Sequence, residues 1–144
     1  MNDNKYIELA LDQAKKGAKD GEIPVGVIVV DGEKILYQGY NRKEQLKCVT
    51  RHAEIEAIEY VSKIKNNWHL DDCIMYVTME PCLMCCGAII QSRIKKVYYL
   101  TTNDKFGSVE ELDIINKNTK NNYKSKFIKI DNNSLELEYQ KILR

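Results

Sequence analysis

Only two of the 144 residues are histidine, so any site that needs three imidazoles is excluded, and His52 and His69 are the whole supply. No apolar run approaches the ~20 residues that a membrane-spanning helix requires. The stretch from Val25 to Val30 is of strand length. The opening Met1-Asn2-Asp3-Asn4-Lys5 has no apolar block behind a basic leader, so no secretion signal is expected and the cytoplasm follows as the default. Neither sign of charge dominates: a formal +1 gives no global pull towards nucleic acid or away from it. With 44% apolar and 30% charged residues the chain matches neither a disordered nor a membrane protein. Its length suits a single domain over residues 1–144 and is too short for two of ordinary size.

What the chain does have is five cysteines, Cys48, Cys73, Cys82, Cys85 and Cys86. Three of them fall within five residues, a spacing that suits metal binding or redox chemistry better than a disulfide framework. Charge is also uneven. Between Arg93 and Ile130 there are nine basic residues against four acidic ones, a local excess that can follow a phosphate backbone or simply solvate a surface.

Hydrophobic periodicity sets out the elements. Tyr6, Ile7, Leu9, Ala10 and Ala14 recur at helical spacing, predicting a first helix that ends near Lys19. Val25–Val30 and Lys34–Gln38 predict two strands around an Asp31-Gly32 hairpin turn. A polar loop from Asn41 to Thr50 leads to a second helix with an apolar stripe of Ile55, Ala57, Ile58 and Val61. Cys73–Thr78 has strand composition, Pro81 opens a third helix to about Ser92, and Lys96–Leu100 is the next strand. A helix over Val109–Ile115, a short strand at Phe127–Ile130 and a final helix over Leu135–Leu143 complete the order. The expectation is an α/β fold: a three-layer α-β-α sandwich around a mixed five-stranded sheet.

Pro81-Cys82-Leu83-Met84-Cys85 puts two thiols three residues apart at a helix start, where the positive end of the helix dipole favours thiolates. A catalytic zinc site needs a third protein ligand and leaves a fourth position for water. His52, in His52-Ala53-Glu54 at another predicted helix start, is the candidate, and H-x-E with P-C-x-x-C is the signature of zinc deaminases. The cofactor expected is therefore Zn2+, one per chain, held by His52, Cys82 and Cys85. Zinc lowers the pKa of water towards neutrality, and Glu54 is placed to move the protons of a hydrolysis. A redox pair is the competing reading of C-x-x-C alone, and a closed structural site using Cys86 as a fourth ligand is the competing metal reading. Cys48, Cys73 and Cys86 otherwise read as small buried residues, and His69 as a loop or core histidine.

These residues resemble the cytidine deaminase-like superfamily, and within it the bacterial tRNA adenosine deaminases. The resemblance runs through Ile23–Val27, Gly39–Arg42, Thr50–Ile55, Tyr76–Cys85 and Gly87–Ile94. It implies that Asn41 hydrogen-bonds the substrate nucleoside, that Val25 and Met79 line the base pocket, and that the backbone of Ala53 contacts the ring. It further implies a cytidine deaminase-like fold, a homodimer, and the anticodon arm of tRNA as partner, with wobble adenosine converted to inosine.

The chain departs from that pattern after Leu100. A glycine before the serine of Asn103–Ser108 is missing, Asn103 stands where bacterial relatives usually carry Asp, and a histidine expected near Tyr123 is absent. The last helix also ends without the basic, phenylalanine-rich tail of the family. Asn103 remains a substrate-binding candidate. A free base or nucleoside (guanine, cytosine, cytidine) stays open as substrate, as does a non-catalytic zinc module that positions tRNA. Retention of Glu54 argues against the module, and Pro24-Val25-Gly26 against the guanine branch, which carries an aromatic after the proline.

Overall fold

The computed structural model describes residues 3–104, 107, 109 and 125–143. Among these, the elements run α1 (Asp3–Lys19), β1 (Gly26–Asp31), β2 (Lys34–Tyr40), α2 (Lys43–Leu46), α3 (Ala53–Lys65), β3 (Cys73–Met79), α4 (Leu83–Gln91), β4 (Lys96–Thr101), β5 (Lys126–Lys129) and α5 (Asn133–Ile142). Of the expected helix over Val109–Ile115 only Val109 is among the described residues, and four of the nine basic residues counted from Arg93, namely Lys105, Lys117, Lys120 and Lys124, lie outside them. No helix among the described residues is long and apolar enough to cross a membrane.

The strand order is β2-β1-β3-β4-β5. β1 pairs antiparallel with both β2 and β3, while β3-β4 and β4-β5 are parallel, so the sheet is mixed as expected. The pleat divides the core in two. Val27, Val29, Met75, Val77, Val97 and Tyr99 face Ala53, Ala57 and Val61 of α3 and Ile89 of α4. Ile28, Val30, Tyr76 and Leu100 point the other way, against Tyr6, Ile7, Ala10, Leu11 and Ala14 of α1 and Tyr139 of α5. β1 is covered on both faces, which is why its sequence is a continuous apolar run rather than an alternation.

Three local differences from the sequence expectation have physical causes. β1 starts at Gly26, because the preceding Pro24 and Val25 are committed elsewhere: Pro24 O accepts the Tyr139 hydroxyl at 2.6 Å and Val25 O accepts Asn41 N–H at 3.0 Å. The hairpin turn is centred one residue later than expected, since Asp31 and Lys34 pair and Gly32 takes φ +62°. Within the polar loop, Lys43–Leu46 forms a short helix whose amides at Glu44 and Gln45 are capped by the Glu22 carboxylate at 2.9 and 2.7 Å. That cap comes from more than twenty residues away, so no local signal announces it.

Gly26 marks the closest approach between α1 and the sheet. A Cβ there would stand 1.8 Å from Ala10 O and 2.7 Å from Ala14 N, both backbone atoms that cannot turn aside. Its own N–H donates to Thr78 Oγ1 at 3.1 Å. Gly26→Ala is therefore expected to cost at least about 3 kcal/mol by overpacking. For a chain of this size that lowers the thermal midpoint by roughly 10 °C, read by calorimetry or circular dichroism.

Candidate active site

The N-termini of α3 and α4 meet on one side of the sheet, and their N-cap residues are His52 and Cys82. Helices usually place Ser, Thr, Asp or Asn at that position to satisfy the first amides. Neither residue makes a side-chain capping bond here, and the two side chains turn towards each other instead. Pro81 precedes the cap rather than opening the helix, so α4 begins two residues later than its sequence suggests.

Cys82 Sγ and Cys85 Sγ stand 3.7 and 3.5 Å from His52 Nδ1, and the three donor atoms lie within 4.8 Å of one another. Zinc–sulfur and zinc–nitrogen bonds of ordinary length around one tetrahedral centre put S and N about 3.6 Å apart. The donor set thus fits a single zinc ion in both type and spacing. Cys86, the possible fourth ligand, is turned aside. Its thiol donates to Pro81 O at 3.5 Å, packs beside Ile90, and is pushed up to about 12 by burial. Three ligands with none further among the described residues is the pattern of a catalytic rather than a closed structural site.

Electrostatics agree. Without a cation the thiol pair shares its charge unevenly. Cys82 is held down at about 4, first because the Cys85 thiol donates to it and then because His52 does. Cys85 is raised well above its usual range for the same reason, with burial adding to it. Two thiolates this close need a cation between them. His52 is raised by its hydrogen bond to Cys82. Glu54, at the second position of α3, is 4% exposed and raised to about 7, chiefly by burial.

His52, Glu54 and Cys82 open on a cavity of about 570 Å³ whose other walls are Ile23, Val25, Asn41, Lys43, Val49, Met79, Glu80, Met84 and Asn103. The predicted pocket residues Val25, Asn41, Met79 and Asn103 all lie on it. Val25 is half-buried ahead of β1 rather than part of the strand core. Asn41 is 6% exposed, and its Oδ1 has no hydrogen-bond partner, an acceptor waiting for a donor. Ala53, whose backbone the resemblance sets against the ring, has its side chain fully buried in the core at the start of α3 and is not among the residues lining the cavity. His69 is a half-buried loop residue set edge-on to Trp68, and Cys73 is buried as expected. Cys48 is not. It is exposed, in the loop after Lys47, which takes a left-handed conformation, with its Sγ 3.2 Å from Thr50 Oγ1.

Glu80 went unnoticed in the sequence because a lone glutamate before Pro-Cys carries no periodic or motif signal of its own. Its Oε1 accepts Asn103 N–H and its Oε2 accepts Val109 N–H, each at 3.1 Å, so one carboxylate clamps the segment that walls the cavity. Gly107 bridges back to Cys82, and a Cβ on it would lie 2.4 Å from Glu80 Oε1. Glu80→Ala removes both acceptors. The expected result is a loss of roughly 3 kcal/mol in unfolding free energy with the zinc content unchanged. Cys82→Ser and His52→Ala, by contrast, are expected to lose zinc while Glu54→Gln retains it, measured by elemental analysis of the purified proteins.

Comparison with known proteins agrees with this geometry. The cytidine and deoxycytidylate deaminase zinc-binding region matches residues 1–101. The chain is 39% identical over 109 residues to the tRNA-specific adenosine deaminase of Aquifex aeolicus, covering 76% of this chain and 72% of that one. It is also 39% identical over 107 residues to that of Streptococcus pyogenes serotype M1, covering 74% of this chain and 63% of the relative. A structure solved in a study of A-to-I editing by tRNA:A34 deaminases superposes with a TM-score of 0.87 at 30% identity, over 97% of this chain and 99% of its own. Guanine deaminase from Bacillus subtilis superposes with a TM-score of 0.69 at 29% identity, over 98% of this chain and 93% of its own. The matched region holds all three metal donors and Glu54, and on that ground the chain belongs to the cytidine and deoxycytidylate deaminase zinc-binding family, with tRNA-specific adenosine deaminases among its relatives.

Proposed function

We propose that the protein is a zinc-dependent hydrolytic deaminase that converts adenosine at the wobble position of tRNA to inosine, with one zinc ion per chain. The observation that carries the chemistry is the convergence of His52, Cys82, Cys85 and Glu54 at one largely apolar cavity. The relatives named as tRNA-specific adenosine deaminases support the substrate.

In the reaction water adds to the ring carbon that bears the amino group, and the amino group leaves as ammonia. A zinc ion held by His52, Cys82 and Cys85 would supply Lewis acidity that lowers the pKa of the attacking water. Glu54 takes the water proton and delivers it to the ring nitrogen, then takes the proton of the newly added hydroxyl and passes it to the amine as the C–N bond breaks. Val25 and Met79 give apolar walls to the faces of a base taken out of its stack, and Asn41 Oδ1 accepts a hydrogen bond from the nucleoside. The helix starts behind His52 and Cys82 favour the thiolate form of the ligands. Reduced thiols suit a cytoplasmic location. A second copy of the chain is the partner proposed for the exposed apolar side chains Leu46 and Leu83, which stand 45% and 56% exposed.

A second reading, deamination of a free base, draws support from the guanine deaminase superposition. Zinc-loaded protein offered an anticodon stem-loop with wobble adenosine, alongside adenosine, guanine, cytosine and cytidine, separates the two. Ammonia from the stem-loop is the expected result, and turnover of a free base alone would sink the tRNA assignment. Glu54→Gln is expected to lower kcat by about 10²- to 10⁴-fold with zinc retained. Asn41→Ala should raise KM by roughly tenfold, as loss of one hydrogen bond to a buried acceptor predicts.

A further inference from the structure

We infer that Lys43 binds a phosphate group attached to the nucleoside whose base enters the cavity, an assignment that rests on the deaminase reading above. Lys43 is the one cation among the described residues that line the cavity. It is half-buried, and no carboxylate among the described residues pairs with it. Its basic neighbours are already neutralised. Arg42 Nε donates to both Glu56 oxygens at 3.2 and 2.9 Å, and Arg51 makes a two-pronged pair with Glu59 at 2.7 and 2.8 Å.

The turn that carries Lys43 is fixed by a distant carboxylate. Glu44 and Gln45 N–H donate to Glu22, leaving the ammonium as the anion-seeking group there. The two acids on the same cavity make no ion pair with it: Glu80 receives two amides, and Glu54 lies buried beside the metal donors. The mouth beside Lys43 is otherwise apolar, with Ile23 at 52% and Val49 at 70% exposure. A cation held in such surroundings attracts an anion more strongly than one fully in water. A neutral free base offers it nothing. A nucleotide, whether within a strand or free, brings a negative charge tethered close to the base.

The test is equilibrium binding by the zinc-loaded protein, which needs no turnover. Affinities of wild type, Lys43→Gln and Lys43→Arg are measured for the anticodon stem-loop, for adenosine 5′-monophosphate and for adenosine, across a range of salt. Lys43→Gln is expected to weaken stem-loop binding by about tenfold and to lower the salt slope by about one, as for loss of one phosphate contact. Lys43→Arg restores most of the affinity, and adenosine binding does not change. Loss on the stem-loop alone assigns the phosphate to the strand, whereas equal loss on the monophosphate assigns it to a free nucleotide. An unchanged affinity and slope in Lys43→Gln, an equal loss on adenosine, or no binding of either phosphate ligand by wild type would overturn the inference. Ammonia release by wild type is scored separately, so that failure of the deaminase reading is seen for itself.

Discussion

The structure turns on holding three metal donors within 4.8 Å of one another, beside a buried carboxylate, when they come from segments about thirty residues apart. Two helix starts make this possible. Each gives up its ordinary capping side chain to place a metal donor at the N-cap, and each directs the positive end of its dipole at the thiol pair. The cost of uncapped amides is set against ligand binding, which is available only in the folded state. The sheet provides the rigidity this needs: β3 runs straight into the Met79–Cys82 turn, and α3 lies on the same face.

Around that centre the cavity is assembled from pieces fixed by quite different interactions. A backbone bond ties Val25 to Asn41, one carboxylate holds the amides of Asn103 and Val109, and a distant glutamate caps the turn that bears Lys43. Each wall is anchored on a neighbour rather than by its own regular structure. This is how irregular backbone can line a precise site: its polar groups are satisfied one by one.

Much of this was readable in the residues. The run Val25–Val30 announced a central strand, and the two-histidine supply with H-x-E and C-x-x-C left little choice of ligands. Asn41, Val25, Met79 and Asn103 came from family resemblance and do line the cavity, whereas spacing alone could not have separated Val25 from strand core. What stayed hidden was tertiary. The Lys43–Leu46 turn depends on Glu22, the role of Glu80 depends on amides more than twenty residues later, and the exposure of Cys48 depends on a left-handed residue before it. Local pattern cannot report a partner that only the fold brings near.

Tyr139 gives the last helix a part in the site that its position would not suggest. Its ring is fully buried beneath the sheet, and its hydroxyl holds the carbonyl of Pro24, next to the valine that walls the cavity. Among the described residues none of the three metal donors bonds to α5. Recognition of the base and retention of the ion are thus supported by separate parts of the molecule. Sequence change in the final helix therefore acts on the Pro24–Val25 wall of the cavity before it reaches any metal donor.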